Sequence, residues 1–394
     1  MIIDSTTLYD VAIIGAGPAG GSAGIHCAKK GLKTIILEEH ATVGDPVHCG
    51  ECLSEIAEIR VHMKFPKEVI ALPVKGVNVI FPDSHKVKLT EAGYVLEKHA
   101  FEKWLVGEAQ NAGTETSLST RVTGLKRENN IWEIQTSQGM LKSKMVLDAS
   151  GAAGVANRML QMNPRFTVTT GIQYEMLDIP NEEYLDFYLW PRLAKEGYLW
   201  MIPKNDGRAN VGLVTQDITK AKVCLDQFVK EKGWEGKKIV KTFGGPIPSS
   251  GPVQNTFGDG ILLIGDAAGF TSPLFEGGTQ LGLVSGKMAA EVAKEAITHN
   301  QLDKPFLSMY DKIWKEEFPA YGKIIQGKKA LYNFTESELN RIGHLMPDEL
   351  SNLSAVDKAK VGFNVLTHNY DLYKKGIVDA FLAFGYSRAA HYGW

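Results

Sequence analysis

The sequence predicts an α/β chain: a parallel sheet with helices on its faces, a β-rich domain inserted into it, and a helical C-terminal region. Three observations predict this. Residues 8–38, LYDVAIIGAGPAGGSAGIHCAKKGLKTIILE, read as an apolar strand, a Gly-rich turn, a helix of small residues and a second apolar strand. A further apolar strand, Gly260 to Ile264, comes far downstream and runs into Gly265-Asp266-Ala267-Ala268-Gly269, with a Gly-led helix from about Gly277. Between them, short runs alternate apolar and polar residues at period two, and beyond residue 303 the pattern becomes that of amphipathic helices rich in aromatics.

Gly15-x-Gly17-x-x-Gly20 leaves the first strand directly. Gly15 permits the tight turn, Gly17 lets backbone approach a pyrophosphate, and Gly20 lets helix and strand pack closely. The pyrophosphate then faces a helix N-terminus, whose free N–H groups stabilise an anion without a cationic side chain. Glu38 closes the second strand, where a carboxylate accepts hydrogen bonds from ribose hydroxyls and repels a 2′-phosphate. Strand, turn, helix, strand and acid in register make a Rossmann-like unit for an adenine dinucleotide.

Residues 98–111 have helical spacing, with Phe101, Leu105 and Ala109 on one face. Residues 114–148 read as short strands with turns at Asn129-Asn130 and Gln138-Gly139, and the β-rich alternation from Arg165 to Gln216 suits the wall of a substrate chamber. The expected division is a dinucleotide-binding domain in three parts (1–60, 98–164 and 251–300). Around these lie an inserted β segment (61–97), a β-rich substrate domain (165–250) and a helical C-terminal region (301–394).

Composition narrows the class. A net charge of −2 over 394 residues gives no electrostatic case for nucleic acid. Four cysteines in a chain of this length argue against a disulfide scaffold. Neither a membrane-spanning apolar stretch nor a signal peptide is evident, so the expectation is a cytoplasmic enzyme, with contact at a membrane surface left open.

The downstream element selects the dinucleotide. Asp266 at a strand end is placed to hold a ribityl or ribose hydroxyl, and the amides of Gly278 and Thr279 would face negative charge developing at the N1/O2 edge of a reduced flavin. The paired elements resemble FAD-dependent oxidoreductases of the glutathione-reductase and p-hydroxybenzoate-hydroxylase type, and Asp148-Ala-Ser-Gly151 looks like the mid-chain motif of that group.

Two segments resemble one branch. Pro46-Val-His-Cys-Gly-Glu-Cys52 and Gly197-Tyr-Leu-Trp-Met-Ile-Pro203 are similar to the PVRCGEG-like loop and Tyr/Phe-x-Trp-x-Phe-Pro segment of the geranylgeranyl reductase family. The resemblance runs from about Tyr9 to Ala290 and includes Lys98-x-x-Phe101-Glu102 and PLFEGGTQLGLVSGKMAA. It implies FAD, and saturation of isoprenoid double bonds in archaeal lipids or the chlorophyll side chain. His48 and Lys98 stand where the family has arginine, and Cys52 where it has a small residue; a lysine point charge holds an anion differently from an arginine fork. The FAD contacts expected on these grounds are Gly15, Gly17, Ala19, Gly20, Glu38, Cys49, Gly50, Cys52, Lys98, Val122, Asp266, Gly278 and Thr279.

An isolated alkene has no carbonyl to stabilise an anion, so hydride from flavin N5 must be matched by a proton at the other carbon. Cys49, with an ordinary thiol pKa of about 8.5, is the first candidate; Tyr198, at about 10, is a poorer donor that can orient or relay, and His48 is a third. Tyr198 and Trp200 alternate in a strand, so they share a face and could line a prenyl slot. Cys49-x-x-Cys52 also has the spacing of a redox dithiol, or of half a zinc site for which no further ligands are near; Cys27 and Cys224 lie in helices and read as inert. Three alternatives stand beside the prenyl reductase: a halogenase or monooxygenase, whose first tryptophan is absent here, a quinone-linked FAD oxidoreductase, and a non-catalytic prenyl-binding protein. The only Gly-rich dinucleotide turn is taken by FAD, so reduced ferredoxin, a deazaflavin and NAD(P)H are equally compatible electron donors.

Overall fold

A computed structural model describes residues 6–47, 49–351, 354–388 and 392. Strand Leu8–Ile14 lies inside the first sheet because Val11, Ala12 and Ile13 are fully buried, leaving no polar face for water. It pairs in parallel with Thr34–Leu37 on one side and Gly139–Asp148 on the other. Glu115–Ser117 extends the sheet past Thr34–Leu37, and Ile261–Leu263 extends it past Gly139–Asp148. An antiparallel ribbon of Val122–Glu128 and Ile131–Thr136 attaches to Gly139–Asp148. Asn129 and Asn130 close its turn at positive φ, a conformation that asparagine tolerates.

Helix Pro18–Lys29 covers this sheet and packs against both Lys98–Asn111 and Thr279–Thr298. Its run of small residues is what admits two neighbours. A Cβ on Gly286 of Thr279–Thr298 would lie 2.4 Å from the Ala19 carbonyl oxygen, so the two backbones meet where any side chain would stand.

The second sheet runs Ile239–Pro248, Val168–Met176, Ala209–Thr215, Tyr198–Pro203, Tyr184–Tyr188, Gly76–Ile80 and Lys86–Leu89. Tyr198–Pro203 and Ala209–Thr215 are buried at every position because both faces are covered. Helix Ala221–Glu231 seats Leu225 and Phe228 on one face, against Leu199, Met201 and Leu213. The C-terminal helices Tyr321–Tyr332, Glu336–Leu345 and Ile377–Tyr386 cover the other, bringing Ile324, Leu331, Ile342 and Ala380 onto Val79, Phe187, Tyr198 and Trp200. The 61–97 segment divides its strands: Gly76–Ile80 and Lys86–Leu89 join this sheet, whereas Ile70–Val74 and Gly93–Leu96 form a small third sheet with Cys52–Ser54. Among the described residues, no helix is long and apolar enough to cross a membrane.

The contact at Gly286 gives a first prediction. Gly286→Ala should destabilise the fold by about 1–3 kcal/mol through overpacking and, by displacing Ala19, lower flavin retention. Thermal melting and the flavin-to-protein absorbance ratio check it; an unchanged melting temperature would contradict the close approach.

Candidate active site

The carboxyl ends of the parallel strands open into one cavity of about 410 Å³, where ligands of doubly wound sheets bind. At its first end Gly15 takes φ +101°, and a Cβ there would lie 2.6 Å from the Ala149 carbonyl oxygen. Gly17 has nothing within 4 Å of the place a Cβ would occupy, so its backbone is open to the cavity. No side chain caps the helix that starts at Pro18, which leaves its first amides to a ligand. Glu38 is buried and accepts from the amides of Ala16 at 2.8 Å and His40 at 2.9 Å, which fixes the carboxylate at the strand end.

At the other end Asp266 is half-buried and its Oδ1 accepts from the Thr271 hydroxyl at 2.9 Å. Burial raises its carboxyl pKa against the pull of Thr271 and Lys98. A Cβ on Gly278 would sit 2.9 Å from Asp266 Oδ1, so the chain passes close beside the carboxyl before helix Thr279–Thr298 begins. Lys98, 5% exposed, donates from Nζ to Thr279 Oγ1 at 2.8 Å. Burial alone would pull its ammonium down, but Cys49, Glu102, Glu51 and Asp266 together hold it above its ordinary value.

The loop carrying Cys49 is held between the two sheets. Cys49 Sγ accepts the Glu51 amide at 3.2 Å and lies 4.0 Å from Thr279 Oγ1. Its carbonyl accepts from Gln173 Nε2 at 2.6 Å, and Gln173 Oε1 accepts from Trp200 Nε1 at 2.9 Å, so one amide aligns loop and indole. Glu51 accepts from the Lys98 amide at 3.1 Å, Lys204 Nζ at 2.9 Å and Asn210 Nδ2 at 2.6 Å. Lys204 also reaches Glu97 at 3.0 Å.

Of the residues singled out by sequence, Gly15, Gly17, Ala19, Glu38, Cys49, Gly50, Lys98, Val122, Asp266, Gly278, Thr279 and Trp200 line this one cavity. Gly20 is not in the lining; a Cβ there would stand 2.0 Å from the Gly15 carbonyl oxygen, which is the close packing expected of it. Tyr198 is also outside the lining: it is buried against Phe187 and Phe275 and donates its hydroxyl proton to the Phe275 carbonyl at 2.7 Å, and burial pushes that hydroxyl well above its ordinary pKa. Cys52 turns away as well, its thiol lying 3.9 Å from the Gly50 carbonyl and pushed well up by burial, then by Cys49 and Glu51. Cys49 and Cys52 are free thiols. His48 lies outside the described residues. Asp148 of the mid-chain motif serves the fold: its buried carboxylate accepts from the amides of Ser150 and Ala156, while Ser150 and Gly151 reach the cavity. Sequence reasoning missed Gln173 and Glu276 as wall residues and Glu51 as the anchor; Glu51 stood inside the loop motif, whereas Gln173 carried no local signal.

A Gly turn without side chains, an uncapped helix N-terminus, a fixed carboxylate at one end and a half-buried aspartate beside a second helix N-terminus at the other together fit FAD. Residues 10–159 match the family model of FAD dependent oxidoreductases, and residues 167–247 match that of the geranylgeranyl reductase catalytic domain. The digeranylgeranylglycerophospholipid reductase of Methanocaldococcus jannaschii is 31% identical over 387 residues, covering 93% of this chain and 97% of that protein. The chain belongs to the geranylgeranyl reductase family. A geranylgeranyl bacteriochlorophyll reductase-like protein from Thermoplasma acidophilum superposes with a TM-score of 0.85 at 28% identity, covering 94% of this chain and 99% of its own. A variant of the halogenase PltM in complex with FAD shares the fold, with a TM-score of 0.71 at 16% identity over 96% of this chain and 86% of its own. FAD is the cofactor of this reductase-family chain.

The Glu51 contacts generate the second prediction. Glu51→Ala leaves Lys204 with Glu97 alone and frees the Cys49 loop, so denaturant unfolding should show a loss of about 3–5 kcal/mol, the scale for breaking a buried ion pair. A loss below about 1 kcal/mol would mean the loop is held by other contacts.

Proposed function

We propose that this chain is an FAD-dependent reductase that saturates the double bonds of geranylgeranyl chains in archaeal-type prenylated lipids. The observation that carries the reading is the meeting of the Cys49–Gly50 loop, Trp200 and the Lys98–Thr279 pair in the wall of the FAD cavity, in a chain that matches a curated digeranylgeranylglycerophospholipid reductase over 97% of that protein's length. Reduced FAD, when bound, would supply a hydride. The chain's residues have three tasks beside it. Lys98 and the amides at Gly278 and Thr279 stabilise negative charge at one edge of the cofactor site. Trp200, oriented by Gln173, offers a flat apolar wall for a prenyl segment, and Cys49 stands where loop and cofactor meet. A group of the wall must also give the alkene its second hydrogen as a proton.

The alternatives are less well supported. The halogenase likeness extends to the fold, and at 16% identity it carries no activity. The electron donor is proposed to dock without a second dinucleotide-binding unit; reduced ferredoxin, a deazaflavin and NAD(P)H are separated by which of them bleaches the bound flavin anaerobically. Contact with a lipid surface is proposed at the C-terminal helices, where Phe363, Leu366, Tyr370, Tyr373 and Leu382 are exposed beside Lys374 and Lys375. Co-sedimentation with anionic vesicles should fall when Phe363 and Leu366 become serine.

The main test is lipid mass. Anaerobically reduced enzyme mixed with a geranylgeranyl glycerolipid should add about 2 Da per saturated bond, and Trp200→Ala should slow this by at least about tenfold while flavin content holds, because the chain loses its positioning wall. Unchanged lipid mass with rapid reoxidation by a small quinone would overturn the prenyl-reductase reading.

A further inference from the structure

One acid in the cavity wall has no role in the account above. Glu276 lies in the Pro273–Gly278 segment that leads into helix Thr279–Thr298, and it lines the same cavity as Cys49 and Trp200. Its side chain is only 4% exposed. Oε1 accepts from Lys328 Nζ at 3.1 Å, and Lys328 also donates to the Pro273 carbonyl. Oε2 is buried and has no hydrogen-bond partner. The residue takes φ +51°, a left-handed conformation that side chains rarely adopt, and such conformations persist where surrounding structure imposes them, often at functional positions.

The environment decides which charge state Glu276 holds. The titratable groups that act on it are Lys328 from helix Tyr321–Tyr332 and Tyr198 from the second sheet, and Glu276 in turn acts on the phenol of Tyr332. The rest of its neighbourhood is apolar: Phe275 packs on Phe187, Tyr198 and Phe384. Tyr198 donates its proton to the Phe275 carbonyl while its phenol, near Glu276, favours the carboxylate, and Oε2 itself has no hydrogen-bond partner. An ionised oxygen without a donor is unfavourable in such a place, whereas a protonated one is itself a donor in the cavity wall. Burial accordingly pushes the carboxyl up to about 7 against the pull of Lys328 and Tyr198.

Cys49 has the opposite surroundings. Its sulfur accepts the Glu51 amide, and the Thr279 hydroxyl, whose oxygen is occupied by Lys98, has its own proton free toward Sγ at 4.0 Å. Sγ is thus engaged by a backbone N–H, whereas Glu276 Oε2 has no partner at all.

We propose that Glu276 is the proton donor of the alkene reduction, with Lys328 setting its charge. The proposal rests on the prenyl-reductase reading above. In the step, the alkene π bond is lost and two C–H bonds form, one by the hydride that reduced FAD would supply, which leaves the flavin oxidised by two electrons, and the other by the proton on Glu276 Oε2. The carboxylate left behind pairs with Lys328 and takes its next proton from water. The reduction needs no further oxidant or reductant.

The test uses the full-length holoenzyme, reduced before mixing with a geranylgeranyl glycerolipid, and follows one turnover by lipid mass between pH 5.5 and 8.5. Glu276 donates only when protonated, so the wild-type rate should fall about tenfold per pH unit above pH 7. Glu276→Gln should lose at least about a hundredfold at pH 6 while keeping its flavin. Lys328→Met removes a cation that favours the carboxylate, so the falling limb should move to higher pH, a shift that a purely structural role would not produce. An activity-independent readout is infrared titration of the carboxylic acid C=O band, present at pH 6 in wild type and missing in Glu276→Gln. If Glu276→Gln loses flavin or fails to fold, the Glu276→Gln/Lys328→Met pair removes the stranded cation, and its hundredfold loss is then the expected result. Glu276→Gln reducing the lipid at the wild-type rate, or Cys49→Ala alone abolishing the reaction with the falling limb unaltered in Lys328→Met, overturns Glu276 as donor. Wild type that leaves the lipid unreduced overturns the prenyl-reductase reading itself, whatever the infrared band shows.

Discussion

The Glu51 carboxylate is the point through which the two halves of the molecule hold each other. The cofactor sheet and the seven-stranded sheet share no strand, and the loop that must serve both lies in the gap. Glu51 sits in that loop at φ +75°, and its two oxygens take the amide of Lys98 at the start of one helix, together with Lys204 just past strand Tyr198–Pro203 and Asn210 on strand Ala209–Thr215. The Glu51 carbonyl accepts from the Leu96 amide at 2.8 Å and ties the same residue to the small third sheet. A carboxylate and an ammonium this deep are tolerated only as partners, so the arrangement has one geometry in which every charge is answered. Cys49 and Gly50 take their places in the cavity because the next residue cannot move.

The cavity built around that anchor is chemically uneven. Its cofactor end is a set of donors: uncapped amides at two helix N-termini, the Lys98 ammonium, the Thr279 hydroxyl. Such an end suits anions, first the pyrophosphate and then charge on a reduced flavin. Toward the second sheet the wall carries Trp200 and Glu276, with the rings of Phe187, Tyr198 and Phe275 packed behind it and Lys328 hydrogen-bonded to Glu276. Hydride chemistry on an unactivated alkene needs both characters, since negative charge must be held on one side while an uncharged chain and a proton meet on the other.

How much of this was legible depended on whether a role is encoded locally. The Gly15–Gly20 turn, Glu38 and the Gly265–Gly269 element each place their chemistry within a few residues of the strand that carries them, so residue type and spacing were enough. Helix Lys98–Asn111 followed from its buried face. Strand Gly76–Ile80 gave no local sign of its partner, because its pairing with Tyr184–Tyr188 spans about a hundred residues and is decided by packing, and Lys86–Leu89 joins the sheet through its local pairing with Gly76–Ile80. Alternation correctly put Tyr198 and Trp200 on one face, yet only Trp200 reaches the cavity: the Phe275 carbonyl captures the Tyr198 hydroxyl, and a sequence cannot show what crosses above a strand. Cys49 and Cys52 likewise share a motif while the backbone between them turns one thiol to the cavity and the other away.

Glu276 shows the limit most sharply. In the sequence it is one acid in a glycine-rich connection, indistinguishable from a solvated loop residue. Its character comes from two elements distant in the chain, the strand that brings Tyr198 and the helix that brings Lys328, and from the neighbouring Phe275, whose carbonyl takes the Tyr198 proton. Burial pushes this carboxyl toward its neutral form while Lys328 and Tyr198 pull it toward the charged one, so its state is set by the balance among them. A perturbed acid in a cofactor cavity is therefore a property of the assembled fold, and the sheet and C-terminal helices that seem only to enclose the chamber are also what determine its proton chemistry.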